Sequence, residues 1–266
     1  AHMSSPPFLS LHGHTLSYVE EGTSGPTLIF LHGLGSSKRD WKHQLSYFSQ
    51  DYRCIAFDLP GHGESSREWP PYDVASFAQV IALALRERNL SDVHVIGVSM
   101  GGMVGYELAA EYPELLASLT VVNVLPEFPS LPLKSKLSFL RRLGLLYFFG
   151  MKAMAEDLAP QLFPYDSQEK VREQFILRWS ENDLKVYRKC LMAISRWSIL
   201  KRLPKITLPV HIVAGDRDYV SPELHQKHAK LLPNGTFSLI EDSGHATPID
   251  QAQAFNASVL AFLRKE

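Results

Sequence analysis

The chain has 266 residues, enough for one large domain with a substantial buried core and short for two independent ones. Its 45% hydrophobic and 21% charged content is that of a soluble globular protein rather than a disordered one. With 27 Lys/Arg against 28 Asp/Glu, no global field recruits nucleic acid. Cys54 and Cys190 are too few for a disulfide framework, and both lie in apolar periodic segments. They read as buried free thiols in a reducing compartment, so a cytoplasmic location is expected. The longest fully apolar candidate, Leu145 to Phe149, falls far short of the ~20 residues that span a membrane. The N-terminus shows no charged region followed by an apolar run, hence no signal peptide, and Ala1-His2-Met3 reads as an expression scar.

In chain order, the first half alternates short β-branched runs with helical periods. Tyr18 to Glu20 closes an early strand. Thr27–Leu31, Arg53–Phe57, Val93–Gly97 and Leu119–Asn123 follow as continuous apolar runs, the pattern of a parallel sheet covered on both faces. Helical spacing places Val74, Phe77, Ile81 and Leu85 on one face, and Met103 with Tyr106 to Ala110 on another. The pattern resumes near the end with strand Val210–Ala214, a helix from about Pro222, strand Thr236–Ile240 and a last helix carrying Phe255, Val259 and Phe262. This alternation predicts an α/β fold.

Residues 126–203 break the rhythm. They contain no convincing strand and read as several helices, including Lys134–Phe149 and Glu169–Lys201. Pro126, Pro129 and Pro132 punctuate the start of this stretch, and Pro204 and Pro209 follow its end. We read a helical insertion over the sheet, with the core formed by 4–125 and 204–266. The insertion holds 14 Lys/Arg and 8 Asp/Glu, a net of +6 against −7 for the rest. Solvated helix faces alone produce such a bias.

Gly97-Val98-Ser99-Met100-Gly101 follows an apolar strand and opens a helix. A sharp strand-to-helix turn brings backbones too close for side chains, hence the flanking glycines. The serine hydroxyl is then exposed at the carboxyl edge of the sheet, where a helix N-terminus stabilises developing negative charge. A serine alcohol is a weak nucleophile near neutral pH and needs a base within reach. His245, in a Ser-Gly-His-Ala loop after a strand, is the candidate. An imidazole base needs a carboxylate in turn, and Asp216 and Asp218 both follow the strand ending at Ala214.

With this turn in strand–turn–helix context, the chain resembles the α/β-hydrolase superfamily over nearly its whole length. His32-Gly33-Leu34-Gly35 looks like the oxyanion loop, and Asp58-Leu-Pro-Gly-His-Gly-Glu-Ser65 like the Asp-x-Pro-Gly-x-Gly-x-Ser turn. Gly215-Asp-Arg-Asp218 resembles the acid loop, and Ser243-Gly244-His245 the histidine loop. The resemblance implies a mostly parallel eight-stranded sheet flanked by helices, with a helical cap. It implies a triad of Ser99, Asp218 and His245 in the order that the fold requires. Asp218 is selected because the family acid stands three residues after the glycine; Asp216 then shapes the loop. The oxyanion donors would be the backbone N–H groups of Leu34 and Met100. His32 would hold the oxyanion loop, and His62 and Asp58 belong to a structural turn.

Other histidines rate lower. His12/His14 and His225/His228, the latter on a helix read as exposed, lack further ligands at metal spacing, so no metal or cofactor is expected. Gly33, Gly35, Gly61 and Gly63 do not form a dinucleotide fingerprint.

Serine at the elbow implies acyl chemistry, since family members that dehalogenate alkanes or open epoxides carry aspartate there. The leading expectation is a carboxylic ester hydrolase for small to medium acyl groups. Thioester, lactone and dienoate-type carbon–carbon cleavage are alternatives, as is a ligand receptor that keeps its triad. Of the cap's apolar side chains, which include Leu131, we expect Phe128, Leu140, Leu143 and Phe148 to line the acyl pocket. Lys134, Lys136, Arg141 and Arg142 suggest an anionic partner. An acyl-carrier protein, as in pimeloyl methyl-ester esterases, would fit, and so would an anionic lipid surface.

Overall fold

The computed structural model describes residues 8–128 and 132–266. Ala1-His2-Met3, Pro129 and Leu131 lie outside the described residues. Eight strands form one sheet: β1 (Phe8–Leu11), β2 (His14–Glu21), β3 (Thr27–Leu31), β4 (Arg53–Phe57), β5 (Val93–Val98), β6 (Leu116–Val122), β7 (Val210–Gly215) and β8 (Gly235–Ile240), in the order β1-β2-β4-β3-β5-β6-β7-β8. The run from β4 to β8 is parallel, while β1 and β2 join it antiparallel. The N-terminal hairpin exceeds the short strand expected. Its turn is His12-Gly13, both at positive φ (47° and 83°), as a tight hairpin requires. His12 therefore serves the turn, and His14 stacks on Trp69 with ring centroids 4.8 Å apart.

Alternation along the strands divides the core. On β3, Leu28 and Phe30 face Trp41, Phe48, Phe255 and Val259 on one side of the sheet, and Ile29 and Leu31 join the larger core on the other. The covering helices are α1 (Lys42–Phe48), α2 (Val74–Glu87), α3 (Met100–Glu111) and, later in the chain, α7 (Pro222–Ala229), α8 (Thr247–Asp250) and α9 (Ala252–Lys265). Asp73 caps α2, its carboxylate accepting from the Ser76 N–H at 2.7 Å. The helix then buries Val74, Phe77, Ala78, Ile81 and Leu85 at three- and four-residue spacing.

Between β6 and β7 the chain inserts α4 (Leu133–Leu162), α5 (Glu169–Ser180) and α6 (Leu184–Arg196), the helical cap. The helix expected over Lys134–Phe149 ends there at a kink, Gly150 being non-helical (φ 87°), and a second helical segment of α4 follows to Leu162. The one expected over Glu169–Lys201 divides at Asp183, whose carboxylate caps the Val186 N–H at 3.0 Å. Helix α7 is not exposed throughout: His225 and His228 are 1% and 4% accessible, with His225 stacked on Phe237. Among the described residues no three His, Cys, Asp or Glu side chains group as metal ligands. None of the described helices is long and apolar enough to cross a membrane. Cys54 and Cys190 are buried free thiols, burial pushing both up to about 12.

Candidate active site

The site is built where parallel strands end. Strand β5 turns into α3 at Ser99, whose backbone is held at φ 53°, ψ −120°. Glycine is needed on both sides for steric reasons. A Cβ at Gly97 would stand 2.2 Å from the Gly101 carbonyl oxygen, and one at Gly101 would stand 2.1 Å from that of Leu31. The turn thus closes only on bare backbone, and it pushes the serine out of the strand line.

Ser99 Oγ lies 3.0 Å from His245 Nε2, and His245 Nδ1 lies 2.9 Å from Asp218 Oδ1. Because a carboxylate only accepts, Nδ1 carries the proton to Asp218 and Nε2 is left to accept from the serine hydroxyl. The Asp218 side chain is buried, whereas that of His245 is 27% accessible, so the imidazole borders open space. Asp216 points elsewhere: its carboxylate accepts from the Ser243 N–H at 3.0 Å and ties the acid loop to the histidine loop.

Asn123, at the end of β6 and at φ 54°, forms the other tie. Its amide donates to the His245 carbonyl at 2.7 Å and to Thr247 Oγ1 at 2.8 Å, while its oxygen accepts from the Gly215 N–H at 2.8 Å. Asp250 supports the same loop, accepting from the Gly244 N–H at 2.7 Å. Neither residue carries a motif, and only the terminal asparagine of an apolar strand hinted at Asn123.

The loop after β3 lies over the serine, so close that a Cβ at Gly33 would be 3.4 Å from Ser99 Cβ. Among the described residues no acceptor takes the N–H of Leu34 or of Met100, the latter being the first residue of α3. Both N–H groups are therefore unengaged. His32 holds this loop. The Leu59 N–H donates to its Nε2 at 3.0 Å, so its Nδ1–H donates to the Gly33 carbonyl at 2.7 Å. Burial lowers its pKa and keeps it neutral. Asp58 accepts from the Lys38 N–H and Nζ at 2.8 and 2.7 Å. His62, pushed by burial down to about 3, packs behind His32.

Above the serine is a cavity of about 550 Å³, lined by Ser99 and His245 with Leu34, Phe128, Phe139 and Trp179 among others. Phe128 packs at an angle against Phe139 with ring centroids 4.7 Å apart. The other three side chains expected in an acyl pocket are not part of the lining. Leu140 and Phe148 are 60% and 75% exposed, and Leu143 packs half-buried against the core. The expected basic cluster also divides, because Arg142 turns inward to the cavity and meets the hydroxyls of Tyr187 and Tyr219. The cap touches the oxyanion loop directly. Asn182 donates to the Gly35 carbonyl at 2.7 Å, and the Tyr187 ring occupies the space that a Cβ at Gly35 would need.

A family model described as the alpha/beta hydrolase fold matches residues 26–252. The chain belongs to this family. A Yersinia enterocolitica protein named "Putative carbamate hydrolase RutD" is 29% identical over 92% of this chain and 89% of its own length. The bifunctional esterase/perhydrolase DCH of Acinetobacter calcoaceticus is 28% identical over 90% of this chain and 92% of its own. Among solved structures, the enol-lactonase from Burkholderia xenovorans superposes with a TM-score of 0.87 at 22% identity, covering 97% of this chain and 100% of that one. This α/β hydrolase therefore shares its architecture with enzymes named for several hydrolytic reactions.

Proposed function

We propose that this hydrolase cleaves carboxylic esters of small to medium acyl chains through an acyl-enzyme at Ser99. The observation that carries the reading is the hydrogen-bonded line from Ser99 through His245 to Asp218 at 3.0 and 2.9 Å, beside two unengaged N–H groups. In this mechanism Ser99 Oγ attacks the ester carbonyl carbon while His245 Nε2 takes its proton. The carbonyl oxygen becomes an oxyanion facing the N–H groups of Leu34 and Met100. As the tetrahedral adduct collapses, the imidazolium returns the proton to the departing alkoxide and the acyl group stays on Ser99. Water then repeats the sequence, releasing the acid and restoring the hydroxyl. Asp218 stabilises the imidazolium in both halves. The aromatic lining around Phe128 and Phe139 and the cavity's size favour a compact acyl group.

Hydrolysis of p-nitrophenyl esters from acetate to laurate tests the reading. Fast turnover on short and medium chains, reduced by at least about 10⁴-fold in Ser99→Ala, is the expected result. No Ser99-dependent turnover at any chain length would reject ester cleavage. A carbamate or lactone panel would then follow.

A further inference from the structure

Helix α4 has its apolar stripe on the wrong side for a cap that only covers a cavity. Its inward residues Ser135, Ser138, Phe139 and Arg142 line the cavity. Its outward residues Leu133, Leu137, Leu140, Tyr147 and Phe148 are each between 56% and 75% exposed. They recur at three- and four-residue steps, with Gly144 in the same row, and so form one continuous face. A Cβ at Gly144 would meet nothing within 4 Å, so nothing covers the row there. The face runs about 22 Å at 1.5 Å per residue. Soluble proteins leave a patch of this kind when something else covers it.

The charges choose the occupant. From 128 to 155 the sequence has five Lys/Arg and no Asp/Glu. With Arg142 turned inward, Lys134 and Arg141 flank the stripe on one side and Lys136 on the other, while Lys152 follows the Gly150 break. Arg141 and Lys152 are exposed but pair with Asp157 at 2.8 Å and Glu156 at 3.9 Å, so among the described residues Lys134 and Lys136 are the cations of this rim that no carboxylate neutralises. A two-fold pairing of α4 with a second copy would bring together two net-basic faces, each carrying the unneutralised Lys134 and Lys136. An acidic protein helix would need cations at the centre of the face, where this one presents leucine and aromatic rings. An apolar strip with a basic rim matches a bilayer interface, with hydrocarbon beneath and anionic headgroups alongside.

We propose that the outer face of α4 docks this hydrolase onto an anionic lipid surface, with the catalytic cavity directly behind the docking helix.

Flotation of the purified full chain with phosphatidylcholine vesicles containing roughly one-third phosphatidylglycerol, against phosphatidylcholine alone, tests this. The chain should float with the anionic vesicles at low salt and be released as salt is raised. Leu137→Glu/Tyr147→Glu should lower the bound fraction by about tenfold with unchanged melting temperature and unchanged turnover of a soluble ester. Lys134→Glu/Lys136→Glu should remove the preference for phosphatidylglycerol. The proposal is overturned if the parent chain stays unbound or if the Leu137/Tyr147 variant floats equally well. It is also overturned if the variant instead dissolves a dimer, or breaks a complex with an acidic carrier protein, that forms without vesicle binding. Flotation reads binding without catalysis, so its outcome is separate from that of the ester reading.

Discussion

At Ser99 a residue with a Cβ is held at φ 53°, a conformation that costs of order 1–3 kcal/mol and persists only where its surroundings enforce it. The two carboxylates of the acid loop separate by what they touch. Asp218→Asn would leave the histidine in the wrong tautomer, and kcat for an ester substrate should fall about 10⁴-fold. Asp216→Asn keeps an oxygen for the Ser243 N–H, so its kcat should stay within about tenfold of the parent. Asn123→Ala would remove the ties to the His245 carbonyl, Thr247 and Gly215 together. Displacing the base in this way should lower kcat by about ten- to a hundredfold with little change in KM. The hydrogen-bonded line of Ser99, His245 and Asp218 was legible in the sequence because each member sits inside a local motif. Asn123 was not, because its partners lie some 90 to 120 residues further along the chain and meet it only in the folded sheet.

Among the elements, the turn between β5 and α3 has the least room. Gly97→Ala would force a Cβ against the Gly101 backbone, and chemical denaturation should show a loss of about 3 kcal/mol or more. The buried parallel strands were readable from their continuous apolar runs, since both faces of the sheet are covered. Strand β1 was less so: its Phe8-Leu-Ser-Leu11 sequence lies at the sheet edge, and a four-residue edge strand has little pattern to show. The cap helices were legible as helices but not in their polarity. Spacing reveals that α4 has an apolar stripe, yet periodicity does not say what covers it. Leu140 and Phe148 face solvent rather than the cavity, an orientation that spacing alone does not decide.

For the molecule as a whole, the buried histidines His32, His62, His94, His211, His225 and His228, all with pKa lowered by burial, shape the response to acid. Burial holds His62 at about 3 and both His211 and His225 at about 4, against about 6.5 in the unfolded chain. Below pH ~6.5 the unfolded chain binds protons that the folded one refuses, so stability is complete above that pH and falls beneath it. Each histidine removes about 1.4 kcal/mol per pH unit until its folded pKa is reached. Asp40 and Asp250, raised by burial, offset part of the loss. Melting temperature measured from pH 8 to 4.5 should stay level and then drop below about 6.5, and His225→Phe should make that drop shallower.

The contact of Tyr187 and Asn182 with Gly35 bears on how new specificities arise on this scaffold. The loop that carries the unengaged Leu34 N–H rests on side chains from the segment that also walls the cavity above Ser99. Exchanging that segment between homologues, whether by recombination in nature or by design, therefore exchanges a support of the reaction machinery along with the binding walls. Grafts that preserve an aromatic and an amide at these two positions should keep their rate while changing their preference, and grafts that lose them should be slow on every substrate.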